Sequence, residues 1–315
     1  MAKKKDKGKH KALHLALPAT SANLGPAFDA AALAMDIFIT IDAQPAAEFS
    51  IAATGRDQEI CGAIENHLIL TTYSEILKSE GASVVPVHLR IKNEIPIGKG
   101  CGSSAAARLA GIALANHFGR LRWSDARIVG EASRREHHPD NASACWMGGL
   151  TIARMSGEAH ADVVRILPKG RWPLLLAIPD QALPTEEARR VLPEAYSRAD
   201  VVANIQNAML LFAAFTQGRH KLLAVALTDR IHQPYRSVLC PLLPCLVELT
   251  GKKGILGAAL SGAGPSVLIF LDPDIPTSKT KKVVAAHLSQ SGFRAELLLT
   301  SIAARRARQT QRASR

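Results

Sequence analysis

Apolar residues alternate with other residues at several places along the chain. Leu13, Leu15 and Leu17 share one face of a strand over 12–17, and the same period recurs over 35–41 and 49–53. Val85, Val87, Leu89 and Ile91 give a fourth strand. Helical spacing marks 66–77 and 123–135, the second with Ser124 as cap and Asp125 in the first turn. The stretch 105–117 is apolar on nearly every side, as a buried helix is. A loop over 137–150 enters a short helix and a Gly-Gly turn. Beyond a break at 168–173 the pattern gives a strand over 174–178 and a short helix over 183–193, capped by Thr185. Helices over 199–217 and 219–228 follow, then a strand–glycine turn–strand unit over 255–271, an amphipathic helix (278–290) and a last strand (293–300). Strands interleaved with helix pairs predict an α+β architecture.

Between the fourth strand and the buried helix lies PIGKGCGSSAA: Pro96, Ile97, Gly98, Lys99, Gly100, Cys101, Gly102, Ser103, Ser104, Ala105 and Ala106. A strand, a glycine loop and a helix N-terminus make an anion site, because bare amides converge where the helix dipole favours negative charge. The ligand this suggests is a nucleotide phosphate. It is no Walker A loop, since Gly98-Lys99 is followed by Gly100, nor a dinucleotide fingerprint, since Ala105 stands at the third glycine. Taken alone, the stretch also fits a flexible turn.

With 47% hydrophobic and 21% charged residues, the 315-residue chain has the composition of a soluble globular protein with a large core. No apolar run approaches the roughly 18 residues of a membrane helix, so no membrane partner is expected. The net charge of +12 sits at the ends. Residues 1–11 hold six Lys and one Asp, and 305–315 hold five Arg and no acid. The expected tails, 1–11 and 304–315, are basic and disordered. Neither interleaves aromatics for base stacking, so nucleic-acid contact is expected to be weak and non-specific. The lysine-led start resembles a signal peptide, but His14 interrupts its apolar stretch, which suits a first strand. Five scattered cysteines without CxxC spacing fit reduced thiols in the cytoplasm.

Three stretches then line up in order: PATSANLGPAFD (18–29), PIGKGCGSSAA (96–106) and LSGAGPSVLIF (260–270). Together they resemble the small-molecule kinase superfamily of galactokinase, homoserine kinase, mevalonate kinase and phosphomevalonate kinase. HPDN (138–141), EARRVLP (187–193) and PYR (234–236) are most similar to the homoserine kinases. The resemblance implies an N-terminal ribosomal S5 domain 2-like domain (12–170), a C-terminal ferredoxin-like domain (171–303), and a cleft between them. It also implies ATP and Mg²⁺, a homodimer, and transfer of phosphate to the side-chain hydroxyl of L-homoserine.

Carried over by position, the resemblance has backbone amides of 98–104 cradling the phosphates, with Lys99 assisting at most through its charge. Ser104 and Glu131 bind the metal, Asn66 lies near the adenine, and Gly262 and Gly264 close over the site. Arg189 and Arg236 hold the substrate carboxylate, and Asp29 with Asn23 its ammonium. His138 and Asn141 lie near the attacking hydroxyl. No lysine matches the base of the mevalonate kinases, so direct in-line attack is expected. Ala27 and Ala32 replace glycines of the usual first motif, and Cys101 a leucine of the central one. Two other readings stand beside this one: a kinase of the superfamily acting on another alcohol, and a non-catalytic nucleotide- or polyanion-binding protein.

Overall fold

The computed structural model describes residues 11–312. The N-terminal half is built on β1 (Ala12–Ala22) and β2 (Ala31–Pro45), a long antiparallel pair whose alternating leucines 13, 15 and 17 point into the core. β1 runs five residues beyond the strand expected from the pattern. It carries PATSA in extended form past a bulge at Pro18/Ala19, where proline supplies no ladder donor. β3 (Ser50–Gly55) lies parallel to β4 (Val87–Asn93), with α1 (Gln58–Gly62) and α2 (Leu68–Ser79) in the crossover. The glycine loop then leads into α3 (Ser103–Phe118), α4 (Asp125–Glu136) and α5 (Asp140–Met147). Ser124 caps α4 as expected, its hydroxyl accepting from the Arg127 amide at 3.3 Å. β5 (Leu150–Gly157) and β6 (His160–Ile166) form a hairpin that the pattern did not announce. Its strands carry charge on an exposed face, including the Arg154–Asp162 pair at 2.9 Å.

The C-terminal half opens with β7 (Pro173–Ile178), α6 (Thr185–Arg190) and α7 (Arg198–Gln217). Thr185 is the first residue of α6 and not its cap, a position that Pro184 takes. The helix expected over 219–228 is a 3₁₀ turn followed by α8 (Leu223–Ala226). α9 (Gln233–Arg236), α10 (Leu242–Val247), β8 (Ile255–Leu260), β9 (Val267–Leu271), α11 (Thr277–Gln290) and β10 (Glu296–Ser301) complete it. The antiparallel order β10-β7-β9-β8 is the ferredoxin-like arrangement expected. β7 shows why this sheet needs cover on both sides. Leu174, Leu176 and Ile178 join the main core with α7, while Leu175 and Ala177 join a second cluster under α10 and α11.

The C-terminal basic stretch departs from expectation. Instead of being disordered from 304, the chain forms β11 (Arg308–Arg312) along the outer edge of β1, from Ala12 opposite Arg312 to Ala16 opposite Arg308. The exposed ladder of β1 supplies backbone partners that composition cannot reveal. The expected N-terminal tail lies, except for Lys11, outside the described residues.

Candidate active site

The three motifs meet through backbone hydrogen bonds. At the β1–β2 turn, Asn23, Leu24 and Gly25 are successively left-handed, with φ of 71°, 46° and 76°, and Asp29 follows at 54°. The Asn23 side chain stabilises that turn. Its Oδ1 accepts from the Asp29 amide at 3.0 Å and its Nδ2 donates to the Gly262 carbonyl at 2.8 Å. Neither Ala27 nor Ala32 has a positive φ, so the missing glycines require no rearrangement. The glycine loop is held from both sides. The Thr20 amide donates to the Cys101 carbonyl (3.0 Å), and the Ser261 hydroxyl donates to that of Gly100 (2.7 Å).

Two glycines of this loop leave no alternative. A Cβ on Gly100 would lie 2.1 Å from the Ser261 carbonyl oxygen, and one on Gly102 would lie 1.9 Å from Thr20 Oγ1. Both have positive φ, so an L-residue meets strain and collision together. Gly102 precedes α3, which no side chain caps, leaving the first-turn amides directed at the cleft. That cradle suits the phosphates of ATP.

Two adjoining cavities share Gly98, Ser103 and Ser104. The larger, about 740 Å³, is mostly apolar, and Asn66, Ile97 and Ala106 line it, as a nucleobase pocket requires. The smaller, about 430 Å³, gathers Asn23, Asp29, His138, Asn141, Arg189, Arg236, Gly262 and Gly264 around the loop. Residues up to 241 apart in sequence thus converge. Pro96 and Ala105 line neither cavity.

Two expected ligands point elsewhere. Glu131 lies outside both cavities and pairs with Arg134 (2.8 Å) and Arg135 (2.7 Å) on its own helix. Burial alone would raise its pKa, but those two guanidinium groups hold it below the ordinary carboxylate value. The carboxylate beside Ser104 is that of Glu136, whose Oε1 accepts from Ser104 Oγ at 2.7 Å and Arg108 Nε at 2.6 Å. A hydroxyl and a carboxylate at the phosphate cradle are the hard oxygen set that Mg²⁺ takes. The Lys99 ammonium donates to the Asp180 carbonyl and does not line the phosphate cavity. Cys101 lines that cavity, but its side chain is 1% exposed and burial pushes its thiol up to about 12, leaving it inert.

The substrate groups also have partners. Asp29 and Arg189 form a bidentate pair at 2.7 and 3.0 Å. Arg236 is buried, its Nε donating to the Ala188 carbonyl at 2.9 Å. Both guanidiniums sit over the Phe28 ring, at 5.5 and 5.2 Å from its centroid. Buried Asp140 accepts from His138 Nδ1 (2.7 Å) and the Asn141 amide. Thr20 Oγ1 donates to Asn141 Oδ1 at 2.6 Å. Burial opposes protonation of His138, but the hydrogen bond and charge of Asp140 outweigh it and raise its pKa above the usual 6.5. Sequence reasoning missed Thr20, Phe28, Arg108, Glu136 and His232. Of these only Glu136 carried a legible signal, standing two residues before HPDN.

Residues 67–149 match the GHMP kinases N terminal domain and residues 211–290 the GHMP kinases C terminal. With the non-Walker phosphate loop and the two-domain fold, these matches place the chain among the GHMP kinases. Within that class it belongs to the homoserine kinase family. It is 44% identical over 262 residues to the homoserine kinase of Solibacter usitatus, covering 82% of this chain and 85% of that one. The homoserine kinase of Deinococcus radiodurans is 37% identical over 255 residues, covering 81% and 83%. The crystal structure of homoserine kinase from Cytophaga hutchinsonii superposes with a TM-score of 0.80 over 98% of this chain and 99% of that one. At 21% identity that likeness speaks for the fold alone.

Proposed function

We propose that the protein transfers the γ-phosphoryl group of ATP to the side-chain hydroxyl of L-homoserine, giving O-phospho-L-homoserine and ADP. The observation that carries this reading is the juxtaposition of Asp29, Arg189 and Arg236 beside the phosphate cradle. An α-amino acid presents one cation and one anion, and this cleft offers a carboxylate and two guanidiniums. A neutral sugar offers neither arginine a carboxylate. Asp29 and Arg189 pair with each other, and the zwitterion exchanges that pair for two of its own.

The hydroxyl oxygen attacks the γ-phosphorus in line, the bond to the bridging oxygen of ADP breaks, and the hydroxyl proton departs with the transferred group. Ser104 and Glu136 would hold Mg²⁺, which would supply charge neutralisation of the phosphates. Asn141, fixed by Thr20 and Asp140, orients the hydroxyl. His138 has Nδ1 committed to Asp140, so Nε2 is the ring atom left for the substrate. A coupled ADP-release assay with homoserine, serine, mevalonate and galactose tests the assignment; turnover is expected with homoserine, and its absence rejects the reading. Followed in single turnover against pH, the same assay tests the base-free step. A steep fall in rate as pH drops through the raised His138 pKa, with binding intact, would make His138 the base.

We also assign a homodimer, and α7 is the surface that supports it. This helix has no charged residue between 201 and 217, and Val202, Ile205 and Met209 expose 47%, 53% and 68% of their surface along one stripe. By length and composition alone it also meets the measure of a membrane span, contrary to the expectation that no apolar run approaches one. Cytoplasmic placement belongs to the same proposal, supported by five free, buried thiols. Light scattering should give twice the 33.7 kDa chain mass, and Ile205→Glu with Met209→Glu should give the monomer. A wild-type monomer would remove the assignment.

A further inference from the structure

One imidazole buried behind the lining of the substrate cleft has no part in the mechanism above. His232 is 0% exposed and lies between the two halves of the amino-acid site. Its Nε2 is 2.8 Å from the carbonyl oxygen of Gly25, in the turn that carries Asn23 and Asp29. Its Nδ1 is 3.2 Å from Nη1 of Arg236. Phe28 stacks on the ring, with centroids 5.2 Å apart and planes 26° from parallel. The same Phe28 ring lies under both guanidiniums.

These partners fix the protonation state. A carbonyl oxygen only accepts, so Nε2 carries the hydrogen; a guanidinium only donates, so Nδ1 is the bare lone pair. A second proton on the ring would direct N–H against N–H and place two cations in contact. Burial pulls the pKa of His232 down to about 4, with the Arg236 charge acting in the same direction against the opposing pull of Asp229. Asp229 is itself committed to the backbone. Its carboxylate accepts from the amides of Ile231 (2.9 Å), His232 (2.9 Å) and Gln233 (2.6 Å), fixing the entry to α9. Arg236 ends that short helix, and its Nε is tied to Ala188 on α6, next to Arg189.

We propose that His232 is a positioning residue that couples Arg236 to the turn bearing Asp29. In this way it sets the spacing between the carboxylate and ammonium subsites and with it the selectivity for α-amino acid alcohols. The inference rests on the homoserine reading above. The ring bonds one subsite at each nitrogen, and both bonds are made at once only when the two stand at a fixed separation. Arg236 can aim its cleft-facing hydrogens only while its other donors are anchored, and His232 and Ala188 are the two anchors. A phosphoryl acceptor without the carboxylate gains nothing from this arrangement.

The test compares wild type with His232→Leu, His232→Gln and His232→Asn, measuring KM for L-homoserine and for ATP. The preference for homoserine over 3-aminopropan-1-ol, the same chain without the carboxylate, is measured alongside. Leucine removes both hydrogen bonds, glutamine retains a donor toward Gly25, and asparagine retains an acceptor toward Arg236. The leucine and glutamine variants should raise KM for homoserine roughly tenfold or more and shrink the preference equally, with KM for ATP within about twofold. Asparagine keeps the acceptor toward Arg236 but loses the tie to Gly25, so it should shrink the preference as well, by less than leucine does. An unchanged preference in the leucine and glutamine variants overturns the proposal, as do KM values for ATP and homoserine that rise together. An asparagine variant with wild-type preference overturns it equally, because anchoring Arg236 would then suffice without the tie to Gly25. Should the leucine variant fail to fold by circular dichroism, the glutamine and asparagine variants decide. Wild type that ignores homoserine overturns the function and this inference together; wild type that uses homoserine with an unmoved preference overturns only the role of His232.

Discussion

Glutamine in place of Glu136 is expected to lower kcat by roughly 10²–10³-fold and to raise the Mg²⁺ concentration needed for half-maximal rate. Glutamine in place of Glu131 is expected to leave kcat within about twofold. Both residues lie on α4, and the contrast follows from what each touches. Glu136 Oε1 accepts from Ser104 Oγ and Arg108 Nε at the phosphate cradle. An amide keeps the shape and one acceptor but withdraws the charge that holds a divalent cation. Glu131 instead serves its helix through the pairs with Arg134 and Arg135, so its loss should appear as a Tm lower by a few degrees. The sign with pH follows from its depressed pKa. That stabilisation is present above the unfolded value near 4.5 and is lost as pH falls through the folded value. A Glu136→Gln enzyme of normal rate and normal Mg²⁺ dependence would remove the carboxylate from the metal site.

Asp29→Asn is expected to raise KM for homoserine by roughly 10²-fold, because a charge-assisted partner of the ammonium disappears while the shape stays. KM for ATP should remain within about twofold, the phosphate cradle being built from other residues. Stability should change little. The Asp29–Arg189 pair joins residues 160 apart, but its side chains are 32% and 38% exposed, and solvent screening limits such a pair to about 1 kcal/mol at most. The variant thus separates recognition from folding. Tight homoserine binding by Asp29→Asn would send the ammonium to another acceptor in the cleft, and an equal loss for both substrates would mark Asp29 as a support of the turn.

How much of this was legible in the chain varies with the range of the interaction. The glycine loop was half legible: its spacing fitted either a phosphate cradle or a flexible turn, and only the positive φ of Gly98, Gly100 and Gly102, with close backbone or side-chain atoms at two of them, favours the built cradle. Ser124 declared the start of α4 by local chemistry alone. The glutamates on α4 show where local reading ends. Five residues along a helix turn the side chain by about 140°, so Glu131 and Glu136 face different neighbours. In the sequence Glu131 lies inside the expected helix and Glu136 just past its end, and only the packing of α3 on α4 decides which one meets Ser104. Phe28 and His232 were silent for a similar reason. An aromatic residue in a turn and a histidine before a short helix acquire meaning only once two arginines lie over one ring and one of them, Arg236, beside the other.

By itself the sequence determined the periodicities, and with them most of the longer strands and helices, though not the β5–β6 hairpin or the short helices α9 and α10. It also determined the special backbone of the phosphate loop, because those properties depend on residues within a turn or two of one another. The tertiary structure decided which carboxylate meets Ser104, that Asp29 and Arg189 meet across the cleft, and that His232 stands between Arg236 and the turn carrying Asp29. It also decided that residues 308–312 complete a sheet edge whose free backbone groups come from the opposite end of the chain. Such partners are chosen by packing between distant segments, and no local preference of either segment carries that choice.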